Sequence, residues 1–192
     1  MQVQTLSAYQ ALVKPASRWM EIPILLGFNL LLVATSYICI YLPFSPVPIT
    51  GQTFGVLVIA MALGRVRGTG VALAYVIEGA LGLPVFAGGR AGIVTLMGPT
   101  GGYLIGFVVA AWVVGGLADR GWDRRYLLSL PAMLLGMIII YIFGLGWLSR
   151  FVSTGNLLAV GLYPFLPGAV IKVALASLVL PSVWRFLGTN RN

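Results

Sequence analysis

Long apolar runs joined by short connectors constrain this chain more than any other feature, because a water-facing surface cannot be built from them. A hydrocarbon core about 30 Å thick takes roughly 20 apolar residues of helix, fewer where helices are broken or shielded by protein. Six runs fit that rule loosely: residues 22–42, 51–64, 68–83, 99–118, 127–148 and 164–187. The expected fold is an all-α integral membrane protein, with six transmembrane helices forming a single domain over residues 1–192. Composition points the same way, since 59% of residues are hydrophobic and 8% charged, against about 25% charged in soluble domains. The first run is longer than a signal-peptide core of about 7–15 residues and lacks a cleavage-site pattern, so it is expected to remain as a span.

The few charges fall in a pattern. The net charge is +8, but the basic residues lie between apolar runs and form no stripe on a soluble face, which argues against nucleic acid as a partner. Positive residues favour cytoplasmic loops. Lys14 and Arg18, Arg65 and Arg67, Arg120, Arg124 and Arg125, then Arg185 and Arg191 all fall on one side of a six-helix topology, while Arg90 and Arg150 fall on the other. Both termini are therefore expected in the cytoplasm of a multi-pass cell-membrane protein, with residues 1–18 as an interfacial lead and residues 156–163 as an interfacial turn before the last helix. Pro131 is expected early in the fifth helix, where a missing N–H does no harm, and Pro181 near the end of the sixth. Gly98, Gly102 and Gly106 recur every four residues, a spacing that suits close helix packing.

Catalytic chemistry is poorly supplied. There is no His, Cys39 is the one cysteine, and no GxxxxGK pattern for nucleotide phosphates occurs. No catalytic residue, metal site or cofactor is expected. Asp119 and Asp123 form an acidic pair within a loop rich in arginine, where a solvated surface is expected; an intramembrane enzyme, such as a lipid-headgroup transferase, would have to use them.

Binding is better supplied, because ionisable residues inside a membrane are costly and point to function. Lys172 stands in the apolar run Pro167 to Leu175 with no acidic residue within a helical turn. Its ammonium must find an anion, reach water or give up its proton, and a ligand carboxylate would satisfy it. Glu78 could accept hydrogen bonds from a ligand or pair with Lys172. Arg90 follows Gly88 and Gly89 in a loop whose tight turns and exposed N–H groups suit an anion. Thr50, Gln52 and Thr53 follow two prolines on the same side of the membrane and supply donors and acceptors. With Phe86 and Tyr103 they describe a pocket with apolar walls, a few polar groups and cationic ends.

Three ordered runs then become familiar. PVPITGQT (Pro46 to Thr53), EGALGLPVFAGGRAG (Glu78 to Gly92) and GPTGGYLIGF (Gly98 to Phe107) together resemble the BioY family, the biotin-specific S components of energy-coupling-factor (ECF) transporters. The resemblance covers most of the chain. It implies the six-helix S-component fold, a biotin pocket toward the external side, and as partners the lipid bilayer, a transmembrane T component and two ATPase subunits. Biotin's carboxylate wants a cation, its thiophane ring apolar walls, and its ureido group both donors and acceptors. Lys172 matches the lysine of the family's C-terminal pattern. Arg90 is a second candidate for the carboxylate, Glu78 and Gln52 for the ureido group, and Phe86 and Tyr103 for the walls, with Thr53 and Gly89 completing the expected substrate-binding set. Two departures stand out: the family's usual Pro-Gly-Asp-x-x-Lys has Ala169 at the Asp position, and the Ala-x-x-x-Ala docking face of the first helix is replaced by Gly27, Leu31 and Thr35.

Overall fold

The computed structural model describes residues 18–186, with side chains from residue 21 onward. The expected interfacial lead with Lys14, and Arg191 beyond the last helix, lie outside the described residues. The elements run α1 (Arg18–Tyr37), β1 (Cys39–Ile40), β2 (Ile49–Thr50), α2 (Gln52–Ala80), α3 (Ile93–Met97), α4 (Gly101–Ala118), α5 (Tyr126–Leu148), α6 (Leu157–Gly161) and α7 (Leu166–Phe186). Single 3₁₀ turns at Ala87–Gly89, Trp122–Arg124, Thr154–Asn156 and Tyr163–Phe165 join them.

The element that organises the bundle is α2, which is a hairpin. Gly64 has φ 77° and ψ −176°, a conformation restricted in practice to glycine. A straight helix would hold Gln52 and Tyr75 roughly 34 Å apart, yet the Gln52 Nε2 donates to the Tyr75 hydroxyl at 2.5 Å. The two arms, residues 52–63 and 65–80, correspond to the expected second and third helices. The reversal falls at Gly64, so Arg65 and Arg67 open the second arm instead of forming the connector. Each arm is short for a bilayer crossing, and the first is shielded by its neighbours, with Val56, Leu57, Ile59, Ala60, Met61 and Leu63 buried.

Among the described residues four runs are long and apolar enough to cross a membrane: Gln52–Ala80, Gly101–Ala118, Tyr126–Leu148 and Thr154–Phe186, with Glu21–Tyr37 as a shorter apolar helix. Because α2 folds back on itself, the described residues make six passes. α4 lies at the centre, packed on α2 and α5, while α1 lies against α2 and α7 against α5. Gly102 and Gly106 bring the α4 backbone against Phe143, Trp147 and Ile140 of α5, the close packing expected of their spacing. Gly98 precedes the helix. Leu134, Ile138 and Ile142 on α5 and Val170, Ile171, Leu175 and Leu178 on α7 remain exposed, an outward apolar face suited to lipid.

Three expected details differ. The first helix stops at Tyr37, five residues before the predicted end, because Cys39–Ile40 pairs antiparallel with Ile49–Thr50 in the register Cys39↔Thr50 and Ile40↔Ile49. β-Branched residues next to a proline-rich turn favour that ribbon over more helix. Pro131 is early in α5 as expected, but the helix starts at Tyr126, so the proline is its sixth residue and the missing N–H removes a bond to the Leu127 carbonyl. The acidic loop is folded under α7: Asp123 is 0% exposed, against the expectation of a solvated carboxylate. The Trp184 Nε1–H donates to its Oδ2 at 2.6 Å, and the Arg124 guanidinium stacks over Trp184 at 4.5 Å. Burial pushes the Asp123 carboxyl up to about 6, countered in part by the Trp184 hydrogen bond and Arg124. Nearby, the Arg65 N–H donates to Asp119 Oδ2 at 3.1 Å and Arg67 pairs with Glu21, so this arginine-rich end joins α1, the tip of α2, the α4–α5 loop and α7.

Candidate functional site

At the opposite end, loops from all parts of the chain are tied together. The Ser36 hydroxyl donates to the Val85 carbonyl at 2.7 Å, the Tyr37 hydroxyl to Pro84 at 2.6 Å, and the Tyr41 hydroxyl to Ala87 at 3.2 Å. These bonds hold the glycine-rich loop against the end of α1. Ser45 Oγ donates to the Val160 carbonyl at 2.7 Å, and the Tyr103 hydroxyl to Gly161 at 2.8 Å, which draws the first loop and α6 over the bundle.

Beneath these loops is a cavity whose empty space, its open mouth included, comes to about 650 Å³. Its apolar walls are Phe86, Leu104, Phe107 and Phe165, with Tyr103 and Tyr141 meeting edge to face, ring centroids 6.5 Å apart. Its polar groups are Thr50, Gln52, Thr53, Thr95 and Thr100, and its cations are Lys172 and Arg90.

Lys172 reaches the cavity from the second turn of α7. Its Nζ donates to the Thr50 carbonyl at 2.6 Å and lies 3.5 Å from Thr53 Oγ1. Both partners are neutral and the side chain is half-buried, so among the described residues no carboxylate is bonded to the Lys172 amine where it faces the cavity. Ala169, one turn earlier on α7, is buried and offers no acceptor side chain.

Gln52 is 5% exposed and held on two sides. The Thr50 hydroxyl donates to its Oε1 at 2.8 Å, while its Nε2 donates to Tyr75, whose own hydroxyl donates to the Val85 carbonyl at 2.8 Å. A primary amide has two N–H groups, so one remains for a guest. Phe86 is fixed by the same loop: its ring occupies the space a Cβ on Gly79 would need, and it meets Tyr75 edge to face at 5.6 Å. Arg90 is exposed at the mouth, its guanidinium 5.1 Å from the Tyr41 ring centroid. Burial and the neighbouring Cys39 raise the Tyr41 hydroxyl above its usual 10, with Arg90 acting in the opposite direction.

Seven of the residues singled out from sequence meet here: Lys172, Arg90, Thr50, Gln52, Thr53, Phe86 and Tyr103. Gly89 does not line the cavity; with φ 80° it completes the turn that presents Arg90. Glu78 is half-buried near the end of α2 and does not line it either, and Lys172 bonds to Thr50 and Thr53, not to Glu78. Asp119 and Asp123 lie at the arginine-rich end and are absent from the lining. Sequence reasoning passed over Tyr141, Thr95, Thr100, Phe107 and Phe165, which carry no charge; the available signal was their position near the same ends of their helices as Arg90.

The BioY family model matches residues 10–189. A probable biotin transporter of Pyrococcus horikoshii is 42% identical over 134 residues, 70% of this chain and 78% of that protein. The biotin transporter of Thermotoga maritima is 39% identical over 153 residues, 79% of this chain and 88% of that one. That of Rhizobium etli is 38% identical over 148 residues, 73% and 79%. Among solved structures, the crystal structure of the S component for biotin from an ECF-type ABC transporter superposes with a TM-score of 0.77 and 25% identity, covering 89% of this chain and 95% of that one. A helical hairpin at Gly64, a loop-covered cavity with a lone lysine, and a match along nearly the whole sequence converge: this chain is a multi-pass membrane protein of the BioY family, with the S-component fold.

Proposed function

We propose that this chain captures biotin at the outer face of the cell membrane and serves as the S component of an ECF-type importer. The observation that carries this is Lys172: an ammonium in the wall of a largely apolar cavity, hydrogen-bonded to neutral partners. A charge so placed stabilises a ligand that brings its own carboxylate. Biotin fits the remainder. Phe86, Tyr103 and Tyr141 offer faces to its bicyclic rings, and the spare Gln52 N–H with the threonine hydroxyls suits the ureido group. Arg90 at the mouth draws an anion inward and is screened by water, so its share is smaller than that of Lys172.

No nucleotide-binding pattern occurs in the sequence, so the energy for uptake comes from partner subunits, a transmembrane T component and ATPases. The arginine-rich end faces the cytoplasm, in keeping with the preference of positive loops for that side.

Titration of purified protein with labelled biotin tests the proposal. Saturable binding at micromolar concentration or below is expected, with biotin methyl ester at least about ten-fold weaker because it lacks the charge that Lys172 meets. Absence of saturable binding refutes the substrate; equal affinity for acid and ester refutes the role of Lys172.

A further inference from the structure

While Tyr103, Leu104 and Phe107 of α4 line the cavity, Ile105 on another face of the same helix lines a second depression. This groove runs between α4 and α5 and is open to the surroundings, with about 500 Å³ of empty space when its open side is included. Ile105 forms one side, Ile142 and Phe143 the other, and Gly146 leaves part of the floor open, with no atom within 4 Å of where its Cβ would stand. The groove ends at Trp147 and Arg150.

That end is built in an ordered way. The Trp147 Nε1–H is committed to the Gly98 carbonyl at 3.0 Å, which fixes the indole. The Arg150 guanidinium stacks 4.4 Å from the Trp147 ring centroid, an arrangement that leaves the N–H groups at its edge directed away from the ring. Arg150 is exposed, and among the described residues no carboxylate pairs with it. Three of the four acidic residues, Glu21, Asp119 and Asp123, lie at the opposite end of the bundle.

We infer that this groove holds one phospholipid of net negative charge, an acyl chain lying along Ile105, Ile142 and Phe143 and the phosphate on Arg150. The two halves of the site match the two halves of such a molecule. An apolar trough in the lipid belt takes a chain, and a planar guanidinium at interfacial depth beside a tryptophan takes a phosphate. A zwitterionic headgroup carries its own ammonium, which competes for that phosphate and meets like charge at Arg150. The preference is therefore for an anionic lipid of the outer leaflet.

Native mass spectrometry of the full chain in detergent, titrated with an equimolar mixture of phosphatidylglycerol and phosphatidylcholine of identical chains, tests this. One phosphatidylglycerol per chain is expected, favoured about five-fold over phosphatidylcholine, the scale of an exposed charge pair. Arg150→Gln should bring the two lipids to parity while leaving the melting temperature unchanged, Arg150→Lys should keep part of the preference, and Gly146→Leu should reduce adducts of both by filling the trough. Excess glycerol phosphate should not displace the lipid, because the chain supplies much of the affinity. Equal retention of both lipids by the parent, an undiminished preference in Arg150→Gln, displacement by glycerol phosphate, or a chain dimer in place of lipid adducts would each overturn the proposal.

Discussion

Lys172 is the residue on which the proposed binding turns, and its environment sets how much. Its hydrogen bonds to the Thr50 carbonyl and Thr53 hydroxyl orient the ammonium without neutralising it, so removing it leaves a ligand carboxylate without its cation in a largely apolar cavity. Lys172→Ala should weaken biotin binding about 100-fold, the lower end of the range for truncating one partner of a desolvated charge pair; isothermal titration of parent and variant measures it. Asp123, at the other end of the molecule, acts on stability. A carboxyl held at about 6 when folded, against 3.8 as its ordinary value, binds its proton more tightly in the folded state. Its contribution is therefore greatest at low pH and diminishes as pH rises from about 4 to about 6. Thermal unfolding in detergent should show stability falling across that window in the parent, and Asp123→Asn, which keeps an acceptor for Trp184, should flatten that part of the profile. These two residues also show how far a sequence speaks at this scale. Lys172 was legible because an orphan charge in an apolar run has few explanations, whereas the burial of Asp123 was hidden by neighbouring arginines that look like a solvated loop.

Among the elements, the α2 hairpin decides most. Its two arms could be read as separate runs because Arg65 and Arg67 interrupt hydropathy, but the reversal itself depends on Gly64, whose φ of 77° and ψ of −176° exclude other residues without strain. A side chain there would also run into the Asp119 carboxylate. Gly64→Val should destabilise the folded state by about 1–3 kcal/mol and lower biotin binding through the displaced arms, since Gln52 and Tyr75 meet across them; a melting-temperature shift together with reduced binding capacity checks it. The end of α1 was not legible. It depends on pairing with the Ile49–Thr50 strand across a proline-containing loop, and hydropathy contains no trace of that pairing.

For the whole molecule, alternation of charge predicts orientation. With Cys39 replaced by serine, a cysteine at Gly155 should react with an impermeant thiol reagent in intact cells, whereas one at Arg120 should react after permeabilisation alone; labelling of Arg120→Cys in intact cells would reverse the proposed topology. What the sequence determined by itself was the solvent and the chemistry. With 59% hydrophobic residues and 8% charged, the chain has too little polar surface to live in water, and its motifs named a family and a lysine. Only the tertiary structure decided which residues share a cavity. Gln52, Phe86, Tyr103, Tyr141 and Lys172 come from separate helices and loops and converge because glycine lets α2 turn back and loops cross-link at one end. Glu78, equally suspicious in sequence, lies outside the cavity lining, for the placement of a side chain around a helix follows from packing against distant neighbours and not from the identity of the residue.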